Sequence, residues 1–166
     1  MLSQKEDVKK EERLIERTLF THMNTEAPKA IIISGVRRCG KSSLLKLLMQ
    51  QTSDFHYFKL EDSRTVDFEV SDFERLSALQ LQENPTCKYF FFDEIQNVPQ
   101  WERFIRTMLD RKKHVFLTGS NASLLSAELG TKLTGRHLRY ELFPFSYPEM
   151  LKLTGKDNQP DSYGQY

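Results

Sequence analysis

The sequence predicts an α/β domain in three layers, with a parallel sheet between two layers of helices. Three observations point there. Short apolar runs without alternation, such as residues 30–34 (AIIIS) and 89–92 (YFFF), read as strands buried on both faces. Segments with helical periodicity stand between these runs. A glycine-flanked turn joins the first apolar run directly to a helical segment, as the strand–helix units of a parallel sheet require.

In chain order, residues 5–23 are predicted to form a surface helix, with Val8, Ile15, Leu19 and Met23 on its apolar side. Pro28 lies in the break after it. Residues 30–34 form the first strand, 35–40 a turn, and 41–51 a helix with Leu44, Leu45, Leu47, Leu48 and Met49 facing inward. A second strand is expected at 55–60. A helix follows at 71–82, with Ser71 as N-cap and Glu74 completing a capping box. The third strand is 89–92, and Pro99 opens a helix at 99–112. The fourth strand is 115–118, followed by a short helix at 122–129 that Gly130 ends. Residues 137–142 form a fifth strand. The expected organisation is an amphipathic helix in 1–27, a core domain in 28–151 and a disordered tail in 152–166.

Composition excludes several classes. The 166 residues suit one domain, and 39% hydrophobic with 28% charged residues is an ordinary globular balance. A net charge of +1 gives no global attraction to nucleic acid, a membrane or acidic substrates. Cys39 and Cys87 are neither a disulfide framework nor a metal-ligand pattern, which points to a reducing compartment. The charged N-terminus is no signal peptide, and no apolar run approaches the roughly 20 residues of a membrane span. The expected location is the cytoplasm.

Residues 35–42, Gly-Val-Arg-Arg-Cys-Gly-Lys-Ser, match the pattern G-x-x-x-x-G-K-[ST]. A triphosphate needs many donors converging on its β- and γ-oxygens, and a tight curl of backbone N–H groups supplies them. Gly35 and Gly40 permit the curl. The following helix points its positive end at the anion, Lys41 adds a full charge, and Ser42 offers a hydroxyl to Mg²⁺. The expected phosphate-binding residues are Gly35, Val36, Arg37, Arg38, Cys39, Gly40, Lys41, Ser42 and Ser43, with ATP or a closely related triphosphate as the ligand.

Asp93 and Glu94 end the third strand. Asp93 suits the Mg²⁺ shell, and Glu94 suits orienting or deprotonating an attacking water. Having both acids favours hydrolysis over phosphoryl transfer to a small molecule. At the end of the fourth strand, Asn121 is the chosen polar contact to the γ-phosphate, Ser120 the runner-up, and helix capping the alternative role for either. Arg136 is the candidate for stabilising the transferring phosphoryl group, in this chain or in a neighbouring subunit, against a reading as a surface arginine. Arg103, Arg106, Arg111, Lys112 and Lys113 make one helix basic, and a solvated face is preferred there over a nucleic-acid surface.

The segments IIISGVRRCGKSSLL, YFFFDEIQNVPQWERFIRTML and VFLTGSNASLLSAELGTKLTGRHLRYELFPFSYPEML together resemble the AAA+-type P-loop ATPases of bacteria and archaea. This is a largely uncharacterised family whose members usually carry a C-terminal domain of unknown function. The resemblance covers roughly residues 28–151 and implies a P-loop NTPase core of five parallel strands. It implies that Lys41 and Ser42 bind phosphate and Mg²⁺, Asp93 holds the metal, Glu94 is the base, Asn121 the polar sensor and Arg136 the arginine of the Leu-x-Gly-Arg run. It also implies a helical lid and a C-terminal domain beyond the point where this sequence stops.

Three activities remain open on the sequence. One is an ATPase that remodels a protein partner or drives a missing C-terminal domain. Another is a nucleotide-dependent switch with little turnover. A third is a small-molecule kinase, which the acidic pair disfavours. Association with nucleic acid and homo-oligomerisation are compatible with each.

Overall fold

The computed structural model describes residues 14–61, 68–120 and 133–155. Among them, five strands form one sheet: β1 (Ala30–Gly35), β2 (Phe55–Lys59), β3 (Tyr89–Asp93), β4 (His114–Ser120) and β5 (His137–Leu142). Their order is β2-β3-β4-β1-β5, and every neighbouring pair is parallel. Four α-helices are described with them: α1 (Lys41–Gln50), α2 (Val70–Glu83), α3 (Trp101–Asp110) and α4 (Tyr147–Thr154).

Burial of both faces explains why the apolar runs show no polar alternation. Ala30 and Ile32 of β1, Phe90 and Phe92 of β3, and Val115 and Leu117 of β4 share one face. They pack on Phe73 and Leu76 of α2 and on Trp101, Phe104, Ile105 and Met108 of α3. The residues between them, Ile31, Ile33, Phe91 and Phe116, face Leu44, Leu45, Leu48 and Met49 of α1. Both faces of the central strands are therefore dry, which gives the expected three layers. Rings fill much of the space: Phe73 stacks on Phe104 with centroids 4.3 Å apart, and Phe91 on Phe116 at 4.7 Å. Each such side chain contributes about 1.5–3 kcal/mol by leaving water.

The sequence expectations need correction at several helix ends. Residues 14–23 do not continue an α-helix; only Thr18–His22 winds, as a 3₁₀ turn, after an extended Arg17. Leu19, Phe20 and Met23 lean on the α1-side core, and Arg17 is drawn inward. Residues 5–13 lie outside the described range. Ser71 is not a cap, because α2 begins at Val70, and Glu69 N–H donates to Asp72 Oδ2 at 3.0 Å. Pro99 does not open α3. A 3₁₀ turn at Ile95–Asn97 comes first, and Gln100 takes a left-handed φ of 61° that no helical residue adopts, so the helix starts at Trp101. The expected helix at 122–129 and most of the expected tail lie outside the described residues.

Helix α4 was not among the sequence expectations. Ser146 N–H donates to Glu149 Oε2 at 2.8 Å in a capping box, Pro148 stands in the first turn, and Gly155 closes the helix at φ 66°. Glu149 is buried, and its Oε1 accepts the Thr18 N–H at 2.8 Å. Burial alone would raise this carboxyl, but the Ser146 and Thr18 amides and the charge of Arg17 beside it outweigh this and hold the pKa at about 2, below the usual 4.5. A depressed pKa stabilises the fold above the unfolded value and loses that stabilisation as pH falls through the folded one. Acid unfolding should therefore show a loss on the order of 1–3 kcal/mol between pH 4.5 and about 2 that Glu149→Gln lacks, read from chemical melts at each pH.

Candidate functional site

The C-terminal ends of β1, β3 and β4 lie side by side, with Gly35 opposite Ser120 and Phe92 opposite Leu117. Ligands of parallel sheets gather at this edge. The loop that leaves β1 there is shaped by two glycines. A Cβ on Gly35 would stand 2.4 Å from Leu142 O and 2.6 Å from Cys39 Sγ, so no side chain fits. Gly40 takes φ 98°, which other residues rarely adopt. Arg38 is also left-handed at φ 66°, at a cost of about 1 kcal/mol. The curl runs into the N-terminus of α1, where unpaired amides and the helix dipole favour an anion. A cleft of about 630 Å³ lies over it, with Glu94, Gln96 and Ser120 among its walls.

Lys41 is only 5% exposed. Its ammonium donates to Gly35 O at 3.4 Å and Val36 O at 3.3 Å, and stands 3.3 Å from Glu94 Oε1. The positive group is thus held at the centre of the curl, beside the acid of the next strand but one. Ser42 hydrogen-bonds the Asp93 carboxylate. Asp93 is fully buried, and burial pushes its carboxyl up against the opposing pull of the Thr118 and Ser42 hydroxyls. Tyr57 OH also donates to Asp93 Oδ2 at 3.3 Å. Hard oxygen donors on Ser42 and Asp93 fit Mg²⁺, which takes one or two carboxylates and completes its shell with water and phosphate. A divalent cation there would offset the burial penalty of Asp93.

Glu94 sits at φ 57°, a left-handed position for a residue with a side chain. Two hydrogen bonds pin it: its N–H donates to Thr118 Oγ1 at 2.9 Å, and Gln96 Nε2 donates to its Oε2 at 2.6 Å. Thr118 in turn donates to Asp93 Oδ1 through a short hydrogen bond. One threonine on β4 therefore fixes the Asp93 carboxylate and the Glu94 backbone at the end of β3.

The structure brings Arg37, Arg38, Gly40, Lys41, Ser42, Ser43, Glu94 and Ser120 to one cleft. Gly35 and Val36 offer carbonyls to Lys41, while the Cys39 side chain points into the α1-side core. Arg37 pairs with Glu61 at 3.2 Å on an exposed surface, a contact worth little. Asn121 lies outside the described residues. Arg136 is not at the cleft. Its carbonyl accepts the Ala30 N–H at 2.9 Å, at the opposite edge of the sheet, and its guanidinium meets Asp110 Oδ1 at 2.6 Å. The length of β1, roughly 17 Å, separates it from Gly35. Sequence reasoning missed Thr118, Gln96 and Tyr57. The signal for Thr118 was available: a hydroxyl inside a strand buried on both faces must find a partner.

Residues 27–151 match the AAA domain family. The chain belongs to that family. An uncharacterized protein of Methanocaldococcus jannaschii is 38% identical to this AAA domain over 126 residues, covering 75% of the chain and 28% of the relative. An uncharacterized protein of Haemophilus influenzae is 32% identical over 144 residues, covering 77% and 34%. The chain thus spans about a third of the length of these curated relatives. The solved structure of C. elegans PCH-2 aligns with 86% of this chain and 46% of its own chain, at 20% identity and a TM-score of 0.46. Membership places the chain among nucleotide-binding, ATPase-type domains. No helix among the described residues is long and apolar enough to cross a membrane.

Proposed function

We propose that this AAA domain binds ATP with Mg²⁺ and hydrolyses it in the cytoplasm to drive a conformational change in a protein partner or in a further domain. The observation that carries the reading is the convergence of a buried Lys41, the Ser42–Asp93 pair and Glu94 on one glycine-shaped loop. In this reading the loop amides and Lys41 hold the β- and γ-phosphates, and Ser42 and Asp93 hold the metal. Bound Mg²⁺ supplies charge neutralisation on the phosphates. Glu94 accepts a proton from the attacking water, with Thr118 and Gln96 fixing its orientation. Ser120, the runner-up on the sequence, lines the cleft and takes the γ-phosphate contact in this proposal, with Asn121, the first choice, as the alternative. Calorimetric titration with Mg·ATP, followed by a phosphate-release assay, tests the two halves; absence of heat on folded protein would sink the first.

A second reading, a nucleotide switch with little turnover, is favoured by one observation. Both oxygens of Glu94 are engaged, one by Lys41 and one by Gln96, so an attacking water has only their remaining lone pairs to meet. Heat of binding without phosphate release would select it.

Arg136 acts in trans in this proposal, reaching the cleft of a second copy in a homo-oligomer, because its own cleft lies across the sheet. Arg136→Ala should leave Mg·ATP affinity unchanged and lower phosphate release about a hundredfold or more, only at protein concentrations where chains associate. Measuring release against protein concentration checks this. A loss that is equal at every dilution would contradict action in trans.

A further inference from the structure

A buried cation outside the cleft is tied directly to the glycine loop. Arg17 is 4% exposed, in the segment before β1. Its Nη1 donates to Cys39 O at 2.8 Å, and its Nη2 donates to Phe143 O at 2.7 Å. Its Nε stands 3.2 Å from Glu149 Oε1, an ion pair not aligned as a hydrogen bond. The guanidinium also rests over the Phe145 ring, 4.3 Å from the centroid. One side chain therefore joins the segment before β1, the glycine loop and the turn into α4.

The contact with Cys39 O bears on phosphate binding through peptide geometry. That carbonyl and the Gly40 N–H belong to one planar unit, and the described chain has no cis peptide bond. In a trans unit the two groups point in opposite directions. Holding the carbonyl toward Arg17 turns the Gly40 N–H away from it, to the side where Gly40 lines the cleft. Glycine at position 40 does not fix this orientation by itself, because a residue without Cβ accepts either sign of φ. Flipping the peptide would sacrifice a charge-assisted hydrogen bond in a buried setting, and would leave a buried guanidinium short of an acceptor.

We propose that Arg17 is a positioning residue that locks the Cys39–Gly40 peptide so that the Gly40 N–H faces a bound phosphate, and that Glu149 of α4 holds Arg17 in place. The proposal rests on the ATP-binding reading. It makes α4 a lever on the loop: what displaces α4 weakens phosphate binding, and by linkage bound phosphate stabilises the seat of α4. Glu149 stays ionised far below neutral pH, so the pairing persists across the physiological range. Lysine cannot replace Arg17, since a single ammonium cannot span two carbonyls and a carboxylate as a planar fork does.

The test uses ¹⁵N-labelled wild type, Arg17→Lys, Arg17→Gln and Glu149→Gln. The Gly40 amide resonance is recorded without nucleotide, then Mg·ATP affinity by calorimetry, with thermal melts alongside. Both Arg17 variants should shift or broaden the Gly40 amide and weaken affinity about tenfold. Glu149→Gln, which keeps an acceptor for only one of the Ser146 and Thr18 amides, should do the same to a smaller extent. A merely structural role would lower the melting temperature while leaving the Gly40 amide and the affinity of folded protein as in wild type, and that result overturns the proposal. If Arg17→Gln does not fold, Arg17→Lys and Glu149→Gln decide it. A wild-type chain that binds no Mg·ATP overturns the ATP reading instead, and the Gly40 amide alone then decides whether Arg17 holds the loop.

Discussion

Lys41→Ala should weaken Mg·ATP affinity at least about a hundredfold while the domain keeps its fold. The ammonium lies inside the curl on the Gly35 and Val36 carbonyls, so it is placed before any phosphate arrives. Little side-chain entropy is then spent on binding, and the charge acts where water is largely excluded. The cost to the fold is small for two reasons. No core packing is lost, because Leu44, Leu45 and Leu48 carry that face of α1. Glu94 loses its partner ion, but its side chain is 17% exposed and keeps the Gln96 hydrogen bond. Calorimetry and a thermal melt on the same preparation separate the two effects. A variant with wild-type affinity would contradict the assignment of the loop, and one that fails to fold would contradict the account of what Lys41 supports.

The loop and the two acids were legible in the sequence because their chemistry is local. Gly35, Gly40, Lys41 and Ser42 are neighbours in the chain, and the spacing itself encodes the curl. The end of β3 was equally plain, since four aromatic residues followed by Asp93 and Glu94 can only be a buried strand meeting a polar edge. What depended on strand order was not legible. Thr118 fixes the Asp93 carboxylate and the Glu94 backbone only because β4 lies beside β3, and periodicity carries no information on which strands are neighbours. The placement of Arg136 at the far edge follows from the same cause: it precedes a strand parallel to β1, so it must start where β1 starts. Arg17 was hidden for a different reason. Its partners lie 22, 126 and 132 positions away, and the apolar spacing around it imitates a surface helix that does not form over 14–23. Helix α4 is the avoidable omission. Ser146, Pro148, Glu149 and Gly155 spell an N-cap, a first turn and a C-cap in plain order.

Glu94→Gln should abolish most hydrolysis while preserving nucleotide binding, and the site geometry sets both directions. The carboxylate stands beside the metal-binding candidates, and no other described acid reaches the same point: Asp93 is fully buried and engaged by Thr118, Tyr57 and Ser42. Loss of a general base costs about a hundredfold to ten-thousandfold in rate. The glutamine is isosteric, and the backbone hydrogen bond to Thr118 that holds residue 94 in its left-handed conformation is untouched. Removing the negative charge also frees Lys41 from a 3.3 Å ion pair, so its ammonium meets phosphate without first breaking that contact. Affinity for Mg·ATP should accordingly be equal to wild type or a few-fold tighter, opposite in sign to Lys41→Ala. The paired measurement is the rate of phosphate release and calorimetric affinity on one preparation. Unchanged release would remove Glu94 from the chemistry, and weakened affinity would mean that the Lys41–Glu94 pair supports the loop rather than competing with the anion for it.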